Sequence, residues 1–96
     1  MKLGKDGRMR VYFVKHRGEI LKFVVQYHIL VGGKWRSVMR FDSCHGYPHK
    51  HMYHLRKQED VIRLEGDLGI LLNEARDLII NRGEKIKENF FFNDQI

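Results

Sequence analysis

Ninety-six residues make one domain, 1–96, with too little chain for two independent cores. Lys and Arg outnumber Asp and Glu by 18 to 12, and a hydrophobic share of 43% is enough for one sheet packed by one helix. A single cysteine excludes an internal disulfide and any four-cysteine zinc site, and no apolar run approaches membrane-spanning length.

The N-terminus is polar and lacks a signal-peptide pattern, so a cytoplasmic location with no membrane partner is expected. The charge is uneven along the chain. Residues 1–57 hold thirteen Lys and Arg against three Asp and Glu, whereas residues 58–96 hold five against nine. A basic first half beside an acidic second half draws polyanions to one face. The alternative is that the two halves mainly attract each other, the surplus serving solubility.

Residues 1–7 are polar with two glycines and read as a loose start. From Arg8 to His16 apolar and polar residues alternate at strand period, and Arg17-Gly18 is a tight turn. Glu19 to Val31 is the strongest strand, rich in β-branched and aromatic residues, with Leu21, Phe23, Val25, Tyr27, Ile29 and Val31 on one face. Gly32-Gly33 marks a hairpin, and Lys34 to Asp42 is the third strand. A three-residue loop, Gly32 to Lys34, would pair Val31 with Trp35, Tyr27 with Met39 and Val25 with Phe41. It would leave Lys22, Gln26, His28, Arg36 and Arg40 on the opposite face. A two-residue loop would set arginines opposite Val25 and Ile29.

Pro48 suits a strand start, and His49 to Arg56 reads as a fourth strand. Lys57 to Glu59 is a turn, and Val61 to Leu64 a short strand or helix entry. Asp67 is a good helix cap. From it Leu68, Leu71, Leu72, Ala75, Leu78, Ile79, Arg82, Ile86 and Phe90 recur at helical spacing, which predicts one helix to about residue 91. The rival is a helix that stops at Asn81, with Gly83 as its cap. Phe90, Phe91 and Phe92 close the sheet or form a homodimer contact. The expected fold is therefore α+β: an antiparallel β-meander of about four strands packed by one long C-terminal helix.

The stretch from Arg40 to His54 gathers the groups able to do chemistry, including four of the six histidines. His49 and His51, two apart on a strand, point to one face, with Lys50 opposite and His45 across the Gly-Tyr-Pro turn. Histidine titrates near neutral pH, so such a pair suits the base and the acid of RNA cleavage. Arg40, Lys50 or Arg36 would stabilise the phosphorane charge, and Asp42 would fix a histidine tautomer. Tyr47 and Tyr53 would stack bases. The bland alternative is an exposed, polar, histidine-rich loop. With no chemistry at all, Lys22, Arg36 and Arg40 would still hold RNA through its phosphates. A His-x-His pair joined by His45 or Asp42 also makes three zinc-type ligands, a metal-binding alternative to the cofactor-free reading. A thiol nucleophile at Cys44 beside His45 is the weakest of these options.

The box Arg40-Phe41-Asp42, Gly46 and His49-Lys50-His51 resembles the Arg-Tyr-Asp … Gly … His-Arg-His box of small prokaryotic proteins that include TumE-type toxins of toxin–antitoxin pairs. The likeness covers about residues 36–54. The intervening Cys44, His45 and Pro48 depart from the toxins' usual box, and the long C-terminal helix fits the uncharacterised relatives better than the toxins. The resemblance implies a toxin-like protein acting on RNA, with an antitoxin protein as partner. Arg40, Asp42, His49 and His51 carry it, with His49 and His51 as base and acid of a metal-independent ribonuclease.

Overall fold

The computed structural model describes residues 1–44 and 46–92. It is α+β: six strands in one antiparallel meander, backed by a single C-terminal helix. In chain order they are β1 (Lys2–Leu3), β2 (Gly7–His16), β3 (Glu19–Val31), β4 (Lys34–Asp42), β5 (His49–Met52), β6 (Asp60–Arg63) and α1 (Leu68–Phe92). Two strands exceed the expected number. The N-terminal residues, read as a loose start, fold back as β1 on β2, with Lys2 opposite Arg8. The short run after the Lys57–Glu59 turn is a true strand, with Val61 opposite His51. The fourth strand is shorter than expected and ends at Met52, after which the Tyr53 N–H bonds the Val38 carbonyl.

The long hairpins follow from their turns. Arg17 and Gly18 both have positive φ, as do Gly32 and Gly33, the backbone of a two-residue turn whose twist matches the strands. The three-residue loop expected at Gly32–Lys34 is therefore not formed: Val31 faces Lys34, and Trp35 faces Leu30. A bulge then corrects the register. Ser37 faces His28 and Met39 faces Tyr27, so Val38 is the extra residue. Beyond it the expected Tyr27–Met39 and Val25–Phe41 pairs are present. Of Val25 and Ile29, only Ile29 is left opposite an arginine, Arg36, at the exposed end of the hairpin. A second irregularity leaves Leu21 unpaired and exposed between Lys22 and Ile20.

One face of the sheet is covered. Met9, Phe23, Val25, Tyr27, Ile29, Met39 and Phe41 are buried with Val38 from the bulge, and α1 brings Leu71, Leu72, Ala75, Ile79 and Phe90 onto them. At the helix start, Asp67 Oδ2 accepts from the Ile70 N–H, as expected of the cap. The helix runs through Gly83 rather than stopping at Asn81, yet it is kinked: Arg82 has non-helical φ and ψ. The Tyr27 hydroxyl donates to the Gly83 carbonyl at 3.2 Å, and a Cβ at Gly83 would come within 3.4 Å of that hydroxyl. Phe90 is buried and its carbonyl accepts from the Leu55 N–H, so the aromatic end closes the core, with Phe92 exposed. Val11 and Phe13, on the same face of β2, remain exposed, Phe13 lining a cleft with Ile70, Leu72 and Arg76 of α1.

Candidate functional site

Among the described residues no layer of secondary structure covers the sheet's other face, and the register determines what that face shows. Residues directly opposite in an antiparallel pair lie on one face. One row across the sheet reads Arg10, Gln26, Arg40, His51 and Val61, and the next reads Tyr12, Val24, Asp42, His49 and Arg63. Arg40, Asp42, His49 and His51, separated in sequence by a loop, thus meet in the middle of this open face. Lys50 lies on the helix side, where its ammonium sits 6.0 Å from the Phe41 ring. Arg36 is likewise not part of the open face expected to hold it, because the two-residue turn pairs it with Ile29. Lys22 stays on the open face, opposite Val14, with its ammonium 5.9 Å from the Tyr12 ring. His45 lies outside the described residues.

At the centre, Arg40 and Asp42 form an ion pair at 2.6 Å, and Asp42 Oδ1 also accepts from the Cys44 N–H. Burial pushes the Asp42 carboxyl up, but the Cys44 hydrogen bonds and the Arg40 guanidinium outweigh it and hold it below the usual carboxylate range. Asp42 is only 2% exposed, so this pair is the anchor of the site. The Cys44 thiol is pushed up by its partial burial and by Asp42, against Lys22 and Arg40. A thiol held protonated is a poor nucleophile, which removes support from the Cys44 reading.

The rings of His49 and His51 meet edge to face, 4.7 Å between centroids. His49 is 6% exposed, and its Nδ1 lies 3.2 Å from the Tyr47 carbonyl. His51 is more open, and its Nδ1 lies 3.0 Å from Glu59 Oε2. A carboxylate only accepts, so the Nδ1 of His51 carries the proton and, in the neutral ring, Nε2 is the basic atom. The Tyr53 ring stacks on His51 at 5.9 Å and 9°. Burial pushes the Tyr53 hydroxyl up, Glu59 and Asp42 add to this, and Arg40 opposes it. The carboxylate that orients His51 is therefore Glu59, which a sequence reading assigns to a turn. Asp42, assigned the orienting role, holds Arg40. His54 lies beyond the end of β5, its Nε2 on Asp60 at 2.9 Å. Among the described residues no three His, Cys, Asp or Glu side chains gather as a metal ion would require.

Cation–aromatic pairs flank the centre on the open face. Arg8 lies 4.2 Å over the Trp35 ring, Lys22 approaches Tyr12, and Arg63 lies 4.5 Å over Tyr47. Tyr12, Trp35 and Tyr47 are 54%, 41% and 44% exposed, unusually open for such large rings. Arg8, Tyr12 and Arg63 are not among the sequence candidates, and Trp35, expected opposite Val31 on the apolar face, instead stands opposite Leu30. Their periodicity was visible, but their common face follows from pairings between strands. The ion pairs seen lie within the sheet and its connections, or, for Lys85–Glu88, within α1. Among the described residues, none of these pairs joins α1 to the sheet.

Fold and site together define a class: a helix-backed antiparallel meander whose uncovered face is basic, aromatic and histidine-bearing. The chain belongs to the family described as Domain of unknown function (DUF7718), whose model matches residues 1–95. No curated protein and no solved structure matches it. No helix among the described residues is long and apolar enough to cross a membrane.

Proposed function

We propose that this protein binds single-stranded RNA across the open face of its sheet. The observation that carries this reading is the set of three cation–aromatic pairs, Arg8–Trp35, Lys22–Tyr12 and Arg63–Tyr47, on one uncovered face. Exposed rings stack unpaired bases, and neighbouring cations hold the phosphates, which is how sheet surfaces take single strands. Duplex RNA shields its bases and makes poor use of such rings.

The test is fluorescence anisotropy with a labelled RNA octamer bearing a 5′-hydroxyl. Tyr12→Ala and Tyr47→Ala should each weaken binding by about 5- to 100-fold, the worth of a stacked base. Lys85→Ala, on the far side of the molecule, should leave it unchanged. Absence of binding at low salt, or equal losses in all three variants, sinks the reading.

A second reading is favoured by the His51–Glu59 pair: cleavage of the bound strand without a metal. His51 Nε2 takes the proton from a 2′-hydroxyl, which attacks the adjacent phosphorus. The 5′-oxygen leaves with a proton from water or His49, and Arg40 faces the developing charge. In this form the protein is a toxin-like ribonuclease and its natural partner is an antitoxin. Wild-type protein in excess chelator should cut the octamer, and His51→Gln and Glu59→Gln should bind it without cutting. RNA left intact by wild-type protein at micromolar concentration removes the ribonuclease and the toxin role while leaving the binding proposal in place.

A further inference from the structure

At the β1–β2 corner of the open face lies a cleft of about 440 Å³. Lys2, Lys5, Arg8, Arg10 and Trp35 line it, and no carboxylate does. Lys2 faces Arg8 across β1 and β2, and Arg8 faces His28 across β2 and β3, so basic side chains stand side by side. Among the described residues, neither Arg8 Nε nor His28 Nδ1 has a protein partner, although both are buried. Burial, then Arg8 and Arg10, hold the His28 imidazole below its ordinary value, as expected where positive charge has no local counterion. The Arg8 guanidinium stacked on Trp35 adds a planar surface of the kind on which a base settles.

Resting on the RNA-binding reading above, we propose that this cleft is the subsite for the 5′-terminal phosphate of the bound strand, with the first base against the Arg8–Trp35 pair. Concentrated cations favour a terminal phosphate, which carries nearly two charges at neutral pH, over an internal phosphodiester, which carries one. The cleft has the size of a nucleotide-binding pocket. It lies at the end of the path across the sheet: the residues from Trp35 to Arg40 span about 17 Å of β4, and His51 faces Arg40. A strand anchored by its end in the cleft reaches the histidine centre a few nucleotides later.

Trp35 is the only tryptophan, so its fluorescence reports on this cleft alone. Four titrations decide the matter: an RNA octamer with a 5′-phosphate, the same octamer with a 5′-hydroxyl, ATP, and inorganic phosphate. The phosphorylated octamer should perturb Trp35 and bind about tenfold more tightly than its hydroxyl counterpart. The double variant Lys2→Ala, Lys5→Ala should erase that preference, with the hydroxyl octamer's affinity within about twofold of wild type. Both side chains are exposed, so the variant should fold. Equal affinity for the two octamers overturns this inference and leaves the RNA-binding reading standing. If neither octamer binds, that reading falls as well. Saturable binding of ATP with no preference between octamers assigns the cleft to free nucleotides and overturns the RNA-end proposal.

Discussion

Asp42 shows how one residue couples stability to the site. Its carboxylate is buried on the open face, ion-paired to Arg40 and hydrogen-bonded by the Cys44 N–H. Because its pKa is depressed in the folded state, the stability it contributes is fully present above its unfolded-state pKa. That stability is lost as pH falls from there through the folded-state value. Asp42→Asn should therefore cost about 1–3 kcal/mol at neutral pH, the worth of hydrogen bonds to a charged group. The variant's stability should also fall less steeply than wild type's below about pH 5, seen by urea denaturation across the acid range. An unchanged acid limb would mean that the carboxylate is not held as described. The Arg-x-Asp and His-x-His spacings were legible in the chain, since residues two apart on a strand share a face. Glu59 was not, because nothing in a Lys-Gln-Glu turn indicates that its carboxylate folds back onto His51.

At the scale of elements, turns and bulges determine which side chains meet. Arg17 holds a left-handed φ of 50° in the β2–β3 turn, a conformation that costs a residue with an ordinary side chain about 1–2 kcal/mol. Asn tolerates it better, and Asn-Gly is the preferred pair for such a turn. Arg17→Asn should raise stability by about 0.5–1 kcal/mol, measured as a rise in Tm of a few degrees. No change or a fall in Tm would show that the turn is not strained. The helix rests on a different term. Ile79 is fully buried against the sheet, and Ile79→Ala should cost about 2–5 kcal/mol in denaturant unfolding. Strand periods, the Asp67 cap and the apolar stripe of α1 were plain in the sequence. The Val38 bulge was not. A two-residue turn looked unfavourable because it set arginines against apolar partners, and a single inserted residue removes that conflict everywhere except Ile29–Arg36.

Taken whole, the molecule has two unlike faces. The open side presents Arg8, Arg10, Lys22, Arg40 and Arg63, whereas on α1 Glu74, Asp77, Glu84 and Glu88 are balanced by Arg76, Arg82, Lys85 and Lys87. A positive sheet face beside a charge-balanced helix orients a polyanion towards the sheet. Binding of a single strand to the open side should weaken with salt, log Kd against log[NaCl] having a slope of about 3, for four to five phosphates engaged. A slope below about 1 would remove phosphate contacts as the main source of affinity. By itself, the chain determined a single α+β unit, its hairpins, its capped helix and the concentration of basic residues in its first half. These depend on spacing and composition within short windows. Only the tertiary structure decided that Arg40 stands opposite His51 and Asp42 opposite His49, that Glu59 reaches His51, and that Arg8 covers Trp35 from two strands away. Those meetings depend on inter-strand register and loop closure, in which distant residues take part together, and no local pattern encodes them.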